Sequence, residues 1–168
     1  MNSLSDRFRS WYVFEQACNA KALEMLNSVP DERRSEAKYQ KALDKMAHLV
    51  AARRRWLYRL GEWPEQSPPF PEGTALESLP GMVAEIERAW SDYLAKLTDI
   101  DLASPVEYTF TDGRRLRWHV EGILTQMHGH AYYHRGQIAQ LVVELGGKLI
   151  DTDFVFLAED KPVELGSQ

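Results

Sequence analysis

The sequence predicts an all-α protein, a four-helix bundle with a small β-hairpin before its last helix. Two patterns predict it. Four segments repeat apolar residues at the three-to-four spacing of a helix that buries one face. Between the third and the fourth, Val106, Tyr108 and Phe110 alternate with polar residues, and Asp112-Gly113 then leads to Leu116 and Trp118. Asp-Gly between alternating residues is a hairpin signal. The connections differ greatly in length, so a symmetric up-down-up-down order does not follow. One domain over residues 1–168 is expected, long enough to bury a real core.

The first helix is expected from about Ser3 to Leu26. Ser3 with Asp6 resembles a capping box, and Leu4, Phe8, Trp11, Cys18, Ala22 and Met25 form an inner stripe. Asn27-Ser28-Val29-Pro30 ends it. The second runs from Asp31 or Ser35 to Leu60, with Tyr39, Leu43, Met46, Val50, Leu57 and Leu60 on one face and Gly61 as its stop. Four prolines between Glu62 and Gly73 exclude regular structure. That loop is either a packed connector or a cover over the mouth of a site, with Trp63 and Phe70 as apolar anchors.

The third helix runs from Ala75 or Ser78 to Leu97, on the repeat of Leu79, Met82, Val83, Ile86, Trp90, Tyr93 and Leu97. After the hairpin, the fourth runs from Arg117 or Trp118 to Leu145, with Gly146-Gly147 as its stop. In the tail, Lys148 to Gln168, the run Phe154-Val155-Phe156-Leu157 reads as a short strand or an apolar clamp.

Composition excludes several functions. The net charge of -5 gives no general attraction to phosphate backbones, so no nucleic-acid partner is expected. Arg53-Arg54-Arg55 is the local exception, but three successive helical positions point about 100° apart and form no single patch. The run reads as a solvated turn whose side-chain stems pack. No apolar stretch approaches the ~18 to 20 residues of a membrane span, so no membrane partner is expected. Met1 to Arg7 lacks the apolar core of a signal peptide, so the expected location is the cytoplasm. The single cysteine, Cys18, fits a reducing compartment and reads as a small core residue, with a redox or nucleophilic role the lesser reading.

The chemistry concentrates in His128-Gly129-His130-Ala131-Tyr132-Tyr133-His134-Arg135-Gly136-Gln137. His130 and His134, four apart on a helix, stack on one face and can share a divalent metal ion. Position 131 is Ala, not the Glu of the H-E-x-x-H zinc proteases, so the pair suggests a metal site and no metalloprotease. At about 100° per residue the pair falls within the apolar stripe of Val120, Ile123, Met127, Ile138, Leu141 and Leu145. A buried imidazole there needs a partner, and a shared metal satisfies both rings. From spacing alone, the metal and hydrogen-bonded core histidines both stay open. Gln126 and Gln137 lie at the edge of the same face, and Tyr133 is close. All three are candidates to touch the ligands or the substrate. His119 and His128 read as structural or solvent-facing.

The remaining histidine, His48, is ambiguous on its own. By the helical wheel it points away from the Met46 stripe, which argues against ligation. Yet Met46 to Ala52 is apolar all round except for His48, and such a turn is usually buried on every side.

Two segments together resemble the DinB/YfiT-like family of metal-dependent four-helix-bundle proteins. Leu43 to Leu57 is similar to that family's helix with a histidine eight residues before Trp-Leu. His130-Ala-Tyr-Tyr-His134-Arg135-Gly136-Gln137 is similar to its two histidines followed by Arg-Gly-Gln, and Asp151 to Phe156 resembles its tail. The resemblance implies a metal triad of His48, His130 and His134, holding Zn or Ni, and so decides His48 in favour of ligation. Gln126 departs from a common histidine and Gly129 from a common Asn, though neither is in the triad.

Three imidazoles leave an ion with an open position, as in catalytic zinc sites. Such an ion lowers the pKa of bound water or holds a thiol as thiolate. By resemblance, family members of known activity are thiol-dependent S-transferases and a thiol-dependent isomerase using bacillithiol or mycothiol. The expected function is therefore activation of a low-molecular-weight thiol for S-transfer to a small molecule. Metal-dependent hydrolysis and a stress-associated, non-catalytic binding protein with a structural metal are the alternatives. No general base is assigned. The resemblance and the helices' spare apolar surface also raise a homodimer.

Overall fold

Ser3 starts the first helix. Its hydroxyl accepts from Asp6 N at 3.1 Å, and Asp6 Oδ2 accepts from Ser3 N at 3.0 Å, so the capping box is complete. The structure, a computed structural model, describes residues 3–157. Helix α1 spans Leu4–Asn27 and buries Phe8, Phe14, Cys18, Ala22, Met25 and Leu26. Leu4, expected in the stripe, is exposed, because Asp99 rather than an apolar face lies against this end of α1, accepting from Leu4 N and Ser5 N.

Helix α2 spans Ala37–Arg59, later than expected, because Asp31–Arg33 forms a separate 3-10 turn after Pro30. Gly61 ends it at φ +79, the left-handed conformation a glycine adopts without a Cβ clash. Helix α3 spans Leu79–Lys96 and centres on Trp90, which is fully buried. A short helix, α4, follows at Asp99–Leu102. The sequence reading missed it, although Thr98 and Asp101 form a capping box of the same kind as Ser3 and Asp6.

Strands β1 (Pro105–Thr109) and β2 (Arg115–His119) pair antiparallel, with Val106 opposite Trp118 and Tyr108 opposite Leu116. Phe110 N donates to Arg114 O at 2.8 Å, so the connection is Thr111-Asp112-Gly113. Gly113 takes φ +87, as a three-residue hairpin requires. Helix α5 spans Val120–Glu144, starting after Arg117 and Trp118 because those residues are held in the ladder. Phe154–Leu157 is one helical turn, α6, rather than a strand. Phe154 meets Phe14 edge-on at 4.9 Å, as the clamp reading has it. Residues 158–168 of the tail lie outside the described residues.

The protein is thus mostly helical, with a two-stranded hairpin before its last long helix. Helices α1 and α2 each lie against α3 and α5. Met25, Met46, Leu57, Leu79, Trp90, Ile123, Met127 and Ile138 meet in one buried apolar core. Among the described residues no helix is long and apolar enough to cross a membrane.

The arginine run is not the solvated turn expected of it. Arg53 and Arg55 are buried, at 7% and 8% exposure. Arg53 forms an ion pair with Glu15 of α1 and lies over the rings of Tyr12 and Trp90, at 5.3 and 5.2 Å. Its backbone carbonyl accepts from Trp90 Nε1 at 3.2 Å. The Arg53 charge is buried because a carboxylate and two aromatic faces receive it. This ion pair and the Trp90 bond tie α1, α2 and α3 together, one turn from His48.

Candidate metal centre

His48 projects from α2, and His130 and His134 project from α5, the helix that α2 packs against. Each offers a ring nitrogen, and these atoms all lie within 4.8 Å of one another, close enough to hold a metal ion. Ring centroids are 4.5 Å apart for His130 and His134, 4.6 Å for His48 and His134, and 5.1 Å for His48 and His130. All three rings are half-buried. The conflict over His48 resolves in the packing. Met46, Leu49 and Val50 face the core while His48 faces α5 under the 62–73 loop, so this turn of α2 is covered on more than one side.

Hydrogen bonds set the direction of two rings. His48 Nδ1 lies 2.5 Å from Pro69 O. A carbonyl only accepts, so Nδ1 carries the proton and Nε2 presents a lone pair. His134 Nδ1 lies 3.0 Å from Gln137 Oε1, which also accepts from Lys45 Nζ at 2.7 Å. His134 therefore donates through Nδ1 and leaves Nε2 free. Burial, with His134 and His48 nearby, pushes His130 down to about 4, and burial also lowers His134. Neutral imidazoles are the form that binds metal.

The donor set fits a divalent ion. His48 Nε2 and His130 Nε2 face each other at 3.2 Å. Two lone pairs at that distance repel unless a proton or a cation lies between them. The separation is close to the ~3.3 Å expected between two nitrogen ligands of one tetrahedral zinc. His130 Nδ1 is buried without a hydrogen-bond partner among the described residues, so no contact on that side fixes the tautomer of this ring as Pro69 O and Gln137 Oε1 fix the other two.

The loop covers the histidines. Arg55 Nη1 donates to Ser67 O at 3.1 Å and Thr74 N donates to Asp44 Oδ1 at 2.9 Å, pinning both sides of Phe70. Phe70 stacks parallel on His48, with ring centroids 5.0 Å apart, yet stays 71% exposed. Trp63 packs on the core and lies under Arg54. The cover reading of this loop therefore describes its Phe70 end, and the connector reading its Trp63 end.

Two hollows meet at Phe70. One, of about 570 Å³, is lined by Lys41, Lys45, His48, Phe70 and His134. The other, of about 290 Å³, is lined by Arg55, Phe70, Phe110, Gln126, His48 and His130. Of the remaining predicted residues, Gln137 touches His134, Gln126 lines the smaller hollow, and Tyr133 is exposed with its ring 4.9 Å from His134. His128 stacks on Trp11 at 4.8 Å and is structural. Arg135 is buried over the Tyr132 ring at 5.1 Å, outside the group of three histidines. Sequence reasoning missed Lys45 and the Pro69 carbonyl. A lysine three residues before His48, on the same face, was the only available signal for the first.

Comparison with curated proteins and with solved structures gives no match. A sequence profile described as the DinB family matches residues 4–164, nearly the whole chain. With that match and three converging histidines, the chain belongs to the DinB family.

Proposed function

We propose that the four long helices form a bundle that holds a divalent metal, Zn or Ni, on His48, His130 and His134, and that the centre is a thiol-dependent S-transferase acting on a small molecule. The observation that carries this is the pair of hollows. Each reaches the histidines, one beside His134 and one beside His130, with His48 and Phe70 common to both. A transfer reaction needs room for two reactants at one centre. Hydrolysis needs room for one and a water, and a closed structural metal needs neither.

When bound by three imidazoles, a divalent ion keeps an open position and supplies the positive charge that favours the deprotonated form of a small thiol. The chain's own residues do the rest. Pro69 O and Gln137 Oε1 hold His48 and His134 with their Nε2 atoms inward. Lys45 fixes Gln137 in turn. Phe70 shields the face of His48 from water and divides the two hollows. A cytoplasmic setting, where small thiols stay reduced, belongs to the same proposal.

Metal-loaded protein is expected to accelerate conjugation of bacillithiol or mycothiol to an electrophile such as monobromobimane. A chelator should abolish the rate, and added metal should restore it. A protein that binds metal yet accelerates no thiol conjugation across a panel of electrophiles would sink the transferase reading and leave the metal centre standing.

A further inference from the structure

Of three consecutive arginines on α2, two meet carboxylates: Arg53 pairs with Glu15, and Arg54 with Glu85 at 2.5 Å. Arg55 meets none. It is 8% exposed, and its one hydrogen bond among the described residues goes to the neutral carbonyl of Ser67. One turn further on, Arg59 also lacks an ion pair among the described residues. Its guanidinium lies 4.5 Å from the ring centroids of both Trp56 and Tyr108, with a 3.4 Å bond to Thr109 O. Glu107, on the adjoining strand, is taken by Arg115 and Arg117. A guanidinium withdrawn from water without an anion, as that of Arg55 is, is costly, and both Arg55 and the half-buried Arg59 border the smaller hollow.

That hollow has the chemistry of an oxyanion site. Among the described residues no carboxylate lines it. Arg55 and Arg59 supply fixed donor forks, Gln126 adds an amide, and Trp56, Phe70 and Phe110 supply apolar walls. His48 and His130 line it as well. Burial and the nearby Arg55 charge hold Arg59 below its ordinary range, as uncompensated like charges should. We propose that Arg55 and Arg59 bind the carboxylate or phosphate of a small substrate with an apolar or aromatic body, placing its reacting atom at the histidine centre. The catalytic part of this rests on the reading of that centre given above; the anion site itself does not.

The test uses the full chain, both stripped of metal and loaded with zinc. Benzoate, phenyl phosphate and neutral benzamide are titrated while the arginine Nε–H and tryptophan indole N–H signals are followed by NMR. Benzoate or phenyl phosphate should saturate and shift the Arg55 and Arg59 signals in the stripped protein, at least about tenfold more tightly than benzamide. The tighter of the two anions assigns the head group. Arg59→Gln, at a half-buried position, should remove that preference, weakening the anions at least about tenfold more than benzamide. Arg55→Gln should do the same where it folds. Equal affinity for benzoate and benzamide, or anion binding indifferent to Arg59→Gln, overturns the proposal. Anion binding that appears only with zinc, and ignores Arg59→Gln, places the anion on the metal; it overturns the arginine site and leaves the metal centre intact. Anion binding by stripped protein whose histidines prove to hold no metal does the reverse.

Discussion

Replacing any one of His48, His130 or His134 by Ala is expected to weaken zinc binding at least about 100-fold. Loss of a residue that only orients a ligand costs about 10- to 100-fold in metal affinity, so loss of a ligand costs at least the upper end. The three rings are half-buried and face hollows, so truncation removes donors without opening the core. Gln137→Ala should give the smaller loss, about tenfold, because it frees His134 Nδ1 without removing a donor atom. Competition with a chromophoric chelator reads all four. Ala variants that keep wild-type affinity would show that the metal sits elsewhere or binds nonspecifically.

The second large effect is on stability. Arg53→Met is expected to destabilise the fold by about 3–5 kcal/mol, because it leaves the Glu15 carboxylate buried and unpaired. The cation–π contacts with Tyr12 and Trp90 go with it. The double variant Glu15→Gln/Arg53→Met should recover most of that loss, since no buried charge is left without its partner. Urea unfolding of both single variants and the double variant measures the coupling. A single-variant cost under about 1 kcal/mol would mean that the pair is hydrated and does not fasten α1 to α2. Because Arg53 lies five residues along α2 from His48, the same variant should also loosen the centre.

Features written in a few adjacent residues were legible in the sequence. Ser3 and Asp6 start α1, Gly61 ends α2, and Asp112-Gly113 turns the hairpin. The spacing of His130 and His134 put both rings on one face. Each of these is decided within a turn or two of chain. The α4 cap at Thr98 and Asp101 is equally local, and its signal is as legible as that of Ser3 and Asp6. His48 was harder. A helical wheel gives an angle about one axis, not the number of neighbours around that axis, and α2 is covered by the core on one side and by α5 and the loop on another. The buried arginines were misread for a related reason. A charged run looks solvated until the carboxylate of Glu15 and the rings of Tyr12 and Trp90 arrive from helices distant in sequence. The Pro69 carbonyl has no sequence signature, because every residue carries one. Its role exists only through the path of the loop.

On the proposed reading, three imidazoles from two helices hold one ion with a position left open. X-ray absorption at the zinc edge, on wild-type protein loaded with one equivalent, tests it most directly. The expected spectrum shows three imidazole nitrogens at about 2.0–2.1 Å and one lighter atom from outside the protein, and it changes in the His48→Ala protein. Fewer than three imidazoles, a sulfur bound to the zinc, or a spectrum that His48→Ala leaves unchanged would overturn the three-histidine centre.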